Sequence, residues 1–453
     1  MINIRDFGAT GDGITDDKFA IQSAIMAGVG DVVVVPDGRY VCGQSGSGAW
    51  CLTIPSGTTL RGASRDGAVL VQAPSIGSSV RLLHVAGVNV RVENLTLDGN
   101  AENQTPDEHR AGVFADHSVG LTLREVTSRN FTGDGFYIYV GSHDVTVANS
   151  LATNNRRNGI TFGGATTGGT VTDSQFVANS AQQFDSEPAF QQTVDDLTIL
   201  RCLIDPVGAS TDYALTVAGS GTATHSKRWV VSDCIIGGGV QIAWADDISV
   251  IRTSIHSASV HPAVTVYRSC SRVLVDRCQM SISGAANEVI AIFGTGVNQA
   301  PDRVTVSDCV IATGPILPAH GIYAISARSI DVINNDMTGH GHAQAFYGGV
   351  VVKSTVIGEE IRSVVVRGNS IRDFGQFGMS LTAAGAAVIR TASITGNSFG
   401  DTAGSMTKAL NLTVGNDVTE SGNSISGGCT TLIASTPSGG QLTAIDGHRW
   451  LVP

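Results

Sequence analysis

Residues 304–311 read VTVSDCVI, and the same order of residue types recurs along much of the chain. Apolar residues occupy the first and third positions, a small polar or thiol residue occupies the sixth, and another apolar residue follows within two. Alternating apolar residues are typical of a strand with one face in a core, so each copy predicts a short strand that ends in a tight turn. The sixth residues of these copies are Ser150, Cys202, Cys234, Thr253, Cys278, Cys309, Asn335, Asn369, Asn397 and Asn423. A further copy is expected at 170–179, with Gln175 in the same column.

A second alternating segment follows each of these turns, as in GFYIYV at 135–140 and GITFGG at 159–164. Two or three short strands in every ~26 residues, repeated about a dozen times, are typical of a parallel β-helix, in which each coil stacks ~4.8 Å from the last. The predicted fold class is therefore all-β, a single-stranded parallel β-helix of about a dozen coils.

The column of small polar residues has a physical reason. A tight turn between two strands of a coil points one small side chain inward, and stacked Asn amides bond to one another and to turn backbone. Cys and Thr have similar volume, so Cys202, Cys234, Cys278 and Cys309 are expected to be buried free thiols rather than metal ligands, since the chain has no Cys-x-x-Cys. Cys42 and Cys51 flank a short loop and are the better candidates for a disulfide.

Composition excludes several classes of protein. The chain has 453 residues, a formal net charge of -11, 55 glycines and only 15% charged residues, while hydrophobic residues make up 42%. An acidic chain without a basic block is not expected to bind nucleic acid. Apolar runs are far shorter than the ~20 residues of a membrane span, and residues 1–13 lack the basic-then-apolar pattern of a secretion signal.

Both ends of a stacked β-helix expose hydrogen-bonding edges and need covers. Residues 16–25 predict a capping α-helix with an acidic start, and its apolar face, Ile21, Ala24 and Ile25, is expected to close the first coil. We expect one domain over 1–453: a cap and first strands at 1–60, coils at 61–426, and a tail at 427–453 that loses the repeat and folds back.

The N-terminal sequence supports the same fold by resemblance. The stretches DFGATGDGITDDKFAIQSAI (6–25), VVVVPDGRY (32–40), TTLRGA (58–63) and VENLTLDGN (92–100) closely resemble the pectate-lyase-like superfamily of right-handed parallel β-helices. This resemblance implies a right-handed coil and a carbohydrate-active protein. The superfamily includes polygalacturonases, phage tailspike depolymerases and alginate C5-epimerases, so it does not by itself fix the reaction.

Residues 119–162 look most like the alginate epimerases, in which a Gly-Tyr-Gly-Phe-Asp-Pro-His run carries the chemistry. The matching run here is GDGFYIY at 133–139. The family's Tyr falls on Asp134, its catalytic Asp on Tyr137 and its His on Tyr139. All three functional residues therefore differ, and the resemblance does not carry epimerase activity to this chain. The Asn-Thr-Asp, Gly-Asp-Asp and Arg-Ile-Lys signatures of polygalacturonases are missing too.

Candidate catalytic residues stand where one strand breaks the apolar pattern, at QQFDSEP (182–188). Asp185 and Glu187, two apart on a strand, share one face about 6.6 Å apart by strand rise. Like charges at that separation raise the pKa of one carboxyl, which then acts as an acid beside an ionised partner. Glycoside hydrolysis needs that combination.

Other residues are expected to bind substrate around this pair. Tyr137 and Tyr139 would offer rings to sugar faces, Arg156 and Arg157 a cation for an acidic group, and Asp107 and His109 a loop that walls the groove. Further contacts are expected from Thr161, Gln183 and Gln241.

The preferred hypothesis is a glycoside hydrolase acting on a polysaccharide or oligosaccharide, with Asp185 and Glu187 as catalytic carboxylates. The first alternative is a lyase or C5-epimerase of a uronate polymer, with Tyr137, Tyr139 or His109 as base, and the second is a non-catalytic glycan-binding fibre. No cofactor or metal is assigned, and Ca²⁺ is left open. The expected partners include no nucleic acid and no membrane. The chain is expected to be a monomer or homotrimer, and extracellular or periplasmic, with a cytoplasmic location left open.

Overall fold

The structure is a computed structural model. It describes residues 1–46, 48–207, 213–295, 299–315, 319–340, 347–355, 360–383, 388–402, 406, 408–413, 417–427, 431–435 and 442–444. The chain divides into two compact units, residues 1–235 and 236–453. Each unit is built from short parallel strands that stack on the strands of the next coil, as the repeat predicts.

The first unit contains α-helix α1, Lys18–Ala27, and two 3₁₀ turns, Ile4–Phe7 and Ala101–Asn103. Its strands form two sheets. Sheet 1 contains Ile2–Asn3, Asp12–Asp16, Val32–Val35, Gly38–Cys42, Thr59–Gly62, Ala68–Gln72, Arg91–Asp98, Thr122–Arg129, His143–Ala148, Leu151–Thr153, Thr166–Thr172, Gln175–Val177, Val194–Leu200, Leu203–Asp205 and Ser226–Ser232, and the strand Ile235–Ile236 lies where the unit ends. Sheet 2 contains Trp50–Ile54, Arg81–Val85, Val113–Ala115, Phe136–Ile138, Ile160–Gly163, Phe184–Glu187 and Leu215–Ala218.

The second unit repeats the same two sheets. Its sheet 1 contains Ala245–Ile251, Ser254–Ser257, Ser271–Asp276, Gln279–Ile282, Asp302–Ser307, Val310–Ala312, Ser329–Ile333, Asp336–Thr338, Glu360–Arg367, Ser370–Arg372, Val388–Thr395, Ser398–Asp401, Asp417–Ser421, Ser424–Gly427 and Leu442–Ala444. Its sheet 2 contains Val240–Ala243, Val264–Tyr267, Glu288–Phe293, His320–Ile325, Gly348–Ser354, Phe377–Ala383, Lys408–Thr413 and Thr431–Ser435.

The predicted polar column is present and hydrogen-bonded. In the second unit, the backbone N–H of Asn335 donates to Oδ1 of Asn369 and that of Asn369 to Oδ1 of Asn397, each at 2.9 Å. Thiols occupy the same slot, since the N–H of Cys278 donates to Sγ of Cys309 at 3.4 Å. Every member of this run is buried, so the ladder satisfies turn backbone that water does not reach.

One member of the column was assigned wrongly. In the coil at 170–179 the inward residue is Ser174, whose Oγ accepts the N–H of Ser150 at 3.1 Å, while Gln175 is exposed on the following strand. Serine fits a slot that holds Ser150 in the coil before it, and a glutamine side chain is longer than that slot. The column therefore shifts by one residue from the prediction.

The N-terminal cap is confirmed, with different bounds. The apolar face of α1 is fully buried at Ile21, Ala24 and Ile25. Asp17 precedes the helix but does not cap it with its side chain; its carboxylate accepts the backbone N–H groups of Thr10 and Gly11 at 2.7 and 3.0 Å. Asp17 therefore orders the preceding loop, while Oδ1 of Asp16 accepts the N–H of Lys18, the first residue of the helix, at 3.1 Å.

Two further expectations were wrong. Cys42 and Cys51 are buried free thiols on strands of different sheets, Cys42 at the end of Gly38–Cys42 and Cys51 near the start of Trp50–Ile54, and burial raises the pKa of both. The repeat also continues beyond residue 427, because Thr431–Ser435 and Leu442–Ala444 pair in parallel with strands of the preceding coil. Residues 445–453 lie outside the described part of the chain.

No helix among the residues described is both long and apolar enough to span a bilayer.

Candidate functional site

A line of aromatic rings covers the outer face of sheet 2 in the first unit. The register stacks Thr53, His84, Phe114, Tyr137, Thr161 and Asp185 in one column, and side-chain alternation places that column opposite the buried Phe136, Ile160 and Phe184. Ring centroids are 4.1 Å apart for Trp50 and His84, 6.0 Å for His84 and Phe114, and 5.7 Å for Phe114 and Tyr137. Tyr139 lies 5.1 Å from Tyr137. We call Trp50, His84, Phe114, Tyr137 and Tyr139 the aromatic stripe.

The column continues into a group of carboxylates around one arginine. Nη1 of Arg157 lies 2.8 Å from Oδ2 of Asp134, and Nη2 forms an ion pair with Oε1 of Glu187. The Asp134 side chain is 1% exposed, whereas that of Glu187 is 42% exposed. We call Asp134, Asp185 and Glu187 the acidic cluster. Arg157 therefore pairs with both the most buried carboxylate of the acidic cluster, Asp134, and the most exposed one, Glu187.

Two neutral side chains connect the acids within the acidic cluster. Nδ2 of Asn158 donates to Oδ2 of Asp185 at 3.1 Å, and its backbone N–H donates to Oδ1 of Asp134 at 3.0 Å. The hydroxyl of Thr161 donates to Oδ2 of Asp134 at 3.0 Å. Asp134 and Asp185 therefore belong to one hydrogen-bonded network, and a change of charge on one alters the energy of the other.

Burial sets the protonation of both aspartates. It raises the pKa of Asp134 from an ordinary 3.8 to about 6, against the opposing effect of Arg157. Burial, together with the negative charges of Glu187 and Asp134, raises the pKa of Asp185 from 3.8 to about 7. Burial and Glu187 also raise the pKa of Tyr137. The acidic cluster therefore retains an ionisable proton close to neutral pH, as general acid catalysis requires.

The amide of Gln182 lies between Asp185 and Thr216. Its nitrogen donates to both carboxylate oxygens of Asp185, at 2.8 and 2.9 Å, and its oxygen accepts from the hydroxyl of Thr216 at 3.0 Å. This orientation satisfies both ends of the amide and suits an ionised Asp185, since a carboxylate accepts hydrogen bonds at both oxygens.

A second polar ladder, unforeseen in the sequence, supports the turn beneath the acidic cluster. Nδ2 of Asn155 donates to Oδ1 of Asn179 at 2.9 Å, and Nδ2 of Asn179 donates to Oε1 of Gln183 at 2.8 Å. Gln183 is fully buried in this ladder, so its predicted contact with substrate is wrong. Gln182 beside it is the glutamine that faces the acids.

The loop at 104–110 packs against the turn that carries Asp134. A Cβ on Gly133 would lie 2.3 Å from the carbonyl oxygen of Glu108, so only glycine allows this approach. The hydroxyl of Thr132 donates to the carbonyl of Asp107 at 2.9 Å. Burial opposes ionisation of the Asp107 carboxyl, but the N–H groups of His109 and Ser79 outweigh it and lower its pKa. His109 is exposed, and its Nε2 lies 3.7 Å from Glu108.

The other predicted residues divide into two groups. Tyr137, Tyr139, Arg157, Thr161 and the acidic pair gather at one place, although Thr161 is fully buried. Arg156 instead lines a separate polar cavity of about 350 Å³ with Arg39 and Asp98. Gln241 lies in the second unit, next to Thr265 of the following strand.

Several site residues were missed in the sequence: Asp134, Asn158, Gln182, Trp50, His84, Phe114 and Arg81. The sequence does contain a pattern that could have identified Asp134, Asn158 and Gln182. They are spaced 24 residues apart, and each lies two positions before an inward residue of sheet 2. Arg81 lies with its guanidinium 4.4 Å from the ring centroid of Phe114. No group of three or more His, Cys, Asp or Glu side chains in the described ranges is arranged to hold a metal ion.

Two family models match the chain. Residues 1–86 match the model described as rhamnogalacturonase A/epimerase, pectate lyase-like, and residues 238–429 match the right-handed β-helix region. Among curated proteins, mannuronan C5-epimerase AlgE4 of Azotobacter vinelandii is 32% identical over 175 residues, covering 35% of this chain and 31% of that protein. The pre-neck appendage protein of Bacillus phage phi29 is 30% identical over 128 residues, 27% of this chain and 14% of that protein. The chain spans under a third of the length of these relatives.

Solved structures extend the likeness of the fold over nearly the whole chain. The A-module of mannuronan C5-epimerase AlgE6 from Azotobacter vinelandii matches with a TM-score of 0.51 and 18% identity, covering 96% of this chain and 99% of that one. Gene product 12 of bacteriophage phi29 matches with a TM-score of 0.55 and 13% identity, covering 97% and 73%. With the stacked parallel strands and the match at residues 238–429, these structures show that the chain folds as a right-handed parallel β-helix, and the match at residues 1–86 supports its resemblance to the pectate-lyase-like superfamily.

Proposed function

We propose that this protein is a carbohydrate-active enzyme that hydrolyses glycosidic bonds of a polysaccharide or oligosaccharide at the acidic cluster. One observation carries the proposal: a buried aspartate that holds its proton to near neutral pH shares a strand face with a second carboxylate, at the end of the aromatic stripe. Sugar rings pack on aromatic faces, and the two carboxyls supply the acid and the base or nucleophile.

In the proposed reaction Asp185 donates its proton to the glycosidic oxygen as that oxygen leaves the anomeric carbon. In one route Glu187 takes a proton from the water that attacks this carbon, which inverts its configuration. In the other route Glu187 itself attacks the carbon; water then breaks the new carbon–oxygen bond while Asp185 takes the proton of that water, and the configuration is retained. The amide nitrogen of Gln182 donates to both oxygens of Asp185 and stabilises the carboxylate that forms when Asp185 gives up its proton.

Arg157 has a structural role in this scheme. It pairs with both Asp134 and Glu187, so its charge is already balanced by the protein. It therefore holds Glu187 in position and is not the cation that would neutralise an acidic substrate.

A second candidate, a lyase or C5-epimerase of a uronate polymer, is favoured by Arg81 and by the mannuronan C5-epimerases that resemble this chain. Within the described part of the chain, Nε of Arg81 is buried without a hydrogen-bond partner, and Arg81 has no carboxylate within ion-pair distance. Abstraction of the C5 proton of a uronate requires that the charge of its carboxylate be neutralised. Arg81 would supply the cation for this, and Tyr137 beside it would act as the acid or base.

Product analysis separates the two candidates. The purified chain is incubated in D₂O with alginate, polygalacturonate and neutral glucans, and new reducing ends, ultraviolet-absorbing unsaturated products and deuterium at C5 are measured. Hydrolysis gives reducing ends alone, elimination adds ultraviolet absorbance, and epimerisation gives deuterium without chain cleavage. Asp185→Asn should abolish hydrolysis, while Asp66→Asn, an exposed aspartate of the same unit, should not. Full activity in Asp185→Asn would reject the proposed acid.

A further inference from the structure

A second polar group lies on sheet 2 of the second unit, at the same position within the coil as Asp134 in the first. The strands Glu288–Phe293 and His320–Ile325 pair with Glu288 next to His320 and Ile290 next to Ile322. Both isoleucines are fully buried. Glu288 and His320 therefore each precede an inward residue by two, which is the position of Asp134, Asn158 and Gln182 in the first unit.

His320 is held rigidly with one nitrogen left for a ligand. Its ring stacks on Tyr323 with centroids 4.6 Å apart and an interplanar angle of 9°, and lies 5.0 Å from the ring of Tyr347. Nδ1 accepts the backbone N–H of Gly348 at 3.1 Å. Burial, with the charge of Lys353, lowers the pKa of His320 to about 4, so at neutral pH the ring is uncharged and its proton is on Nε2. That N–H donates to no residue in the described part of the chain.

The charged groups beside it are also left without protein partners. Glu288 is half-buried, burial alone raises its pKa, and it makes no ion pair or hydrogen bond with the residues described. Lys353 lies on the outer face of the next strand, with Nζ 5.3 Å from the ring centroid of Tyr323, and pairs with no carboxylate of the described residues. A hydrogen-bond acceptor (Glu288), a neutral donor (Nε2–H of His320) and a cation (Lys353) thus lie around the rings of Tyr323 and Tyr347.

We propose that Glu288, His320, Tyr323, Tyr347 and Lys353 form a second glycan-binding site, which takes a sugar bearing a carboxylate or sulfate. The anionic group binds Lys353 and the Nε2–H of His320, a ring hydroxyl donates to Glu288, and the tyrosines pack against the sugar. The proposal goes beyond hydrolysis at the acidic cluster and does not depend on it, because every residue of this site belongs to the second unit.

Calorimetric titration of the full chain tests the site. The background is Asp185→Asn, so that no ligand is cleaved during the measurement. The probes are a mannuronate hexasaccharide, a sulfated galactan hexasaccharide and maltohexaose as the neutral reference. We expect an anionic hexasaccharide to bind at least tenfold more tightly than maltohexaose, and the preferred anion distinguishes carboxylate from sulfate recognition.

Variants assign the binding to this site. Lys353→Met should weaken anionic binding about tenfold or remove one of two binding events, and Glu288→Gln should weaken it severalfold. Lys408→Met is the matched control, because Lys408 also lies on sheet 2 with Nζ near an aromatic ring, that of Phe377, and should leave binding unchanged. Unchanged binding in both Lys353→Met and Glu288→Gln overturns the proposal, as does the absence of binding to both anionic probes. Binding at this site together with no hydrolysis by the wild-type chain would instead count against the proposed function alone.

Discussion

Replacing Asp185 by asparagine should make the protein more stable at alkaline pH and slightly less stable at acidic pH. The pKa of Asp185 is raised from 3.8 to about 7, so the folded protein keeps a proton that the unfolded chain releases between these values. At about 1.4 kcal/mol per unit of pKa, ionising this group in the fold costs about 4 kcal/mol, and that cost is fully present above pH 7. The Asp185→Asn variant has no such cost, because asparagine does not ionise. It does lose one hydrogen-bond acceptor, which is worth about 1 kcal/mol at every pH.

The variant should therefore be about 1 kcal/mol less stable than the wild type at pH 4 and about 3 kcal/mol more stable at pH 8. Guanidinium unfolding followed by tryptophan fluorescence at pH 4, 6 and 8, with refolding checked at each pH, measures the difference. Asp66→Asn, at an exposed position, should stay within about 0.5 kcal/mol of wild type throughout. A stability difference for Asp185→Asn that does not change with pH would refute the buried, protonated aspartate on which the proposed chemistry depends.

Three further predictions address rate, binding and fold. Activity should fall as pH rises through about 7, because Asp185 loses the proton that it donates; a rate that is flat from pH 6 to 9 in a reducing-end assay would contradict this role. Tyr137→Ala should raise KM by up to about tenfold with a smaller change in kcat, since one stacked aromatic contact is worth roughly 0.5–1.5 kcal/mol; an unchanged KM would remove the aromatic stripe from substrate binding. Asn369→Ala should destabilise the second unit by about 3 kcal/mol, because it leaves the N–H of Asn335 and neighbouring ladder groups without partners, whereas the exposed Asn287→Ala of the same unit should cost little; denaturant unfolding compares the two.

The repeat predicts the fold because successive side chains of a strand point to opposite faces of the sheet. Alternating apolar residues can satisfy only one face of a strand, and a small polar residue at a fixed place marks the turn, so the order of residue types specifies both the strands and their stacking. The error at Gln175 shows the limit of that rule. Where Ser174 and Gln175 are both polar, the pattern does not say which one points inward, and the volume of the slot decides.

The site was predicted less completely, because its members are joined across coils. Asp185 and Glu187 stand out in sequence because they interrupt an apolar strand. Asp134 lies in a Gly-Asp-Gly turn and resembles an ordinary turn residue until the register brings it to Asn158 and Arg157. Its depth of burial, which gives it chemical significance, follows from the packing of the loop at 104–110 on Gly133, and no local pattern reports that contact.

Both proposed sites follow from one property of the coil. The residue two places before an inward strand residue sits where the turn joins the sheet, so its side chain is largely removed from water yet does not enter the apolar core. Asp134 and Glu288 both occupy this position, and burial raises the pKa of each. A carboxylate there costs stability unless a partner or a ligand compensates it. Arg157 compensates Asp134, whereas Glu288 has no such partner among the residues described, and this difference favours a ligand in the second unit.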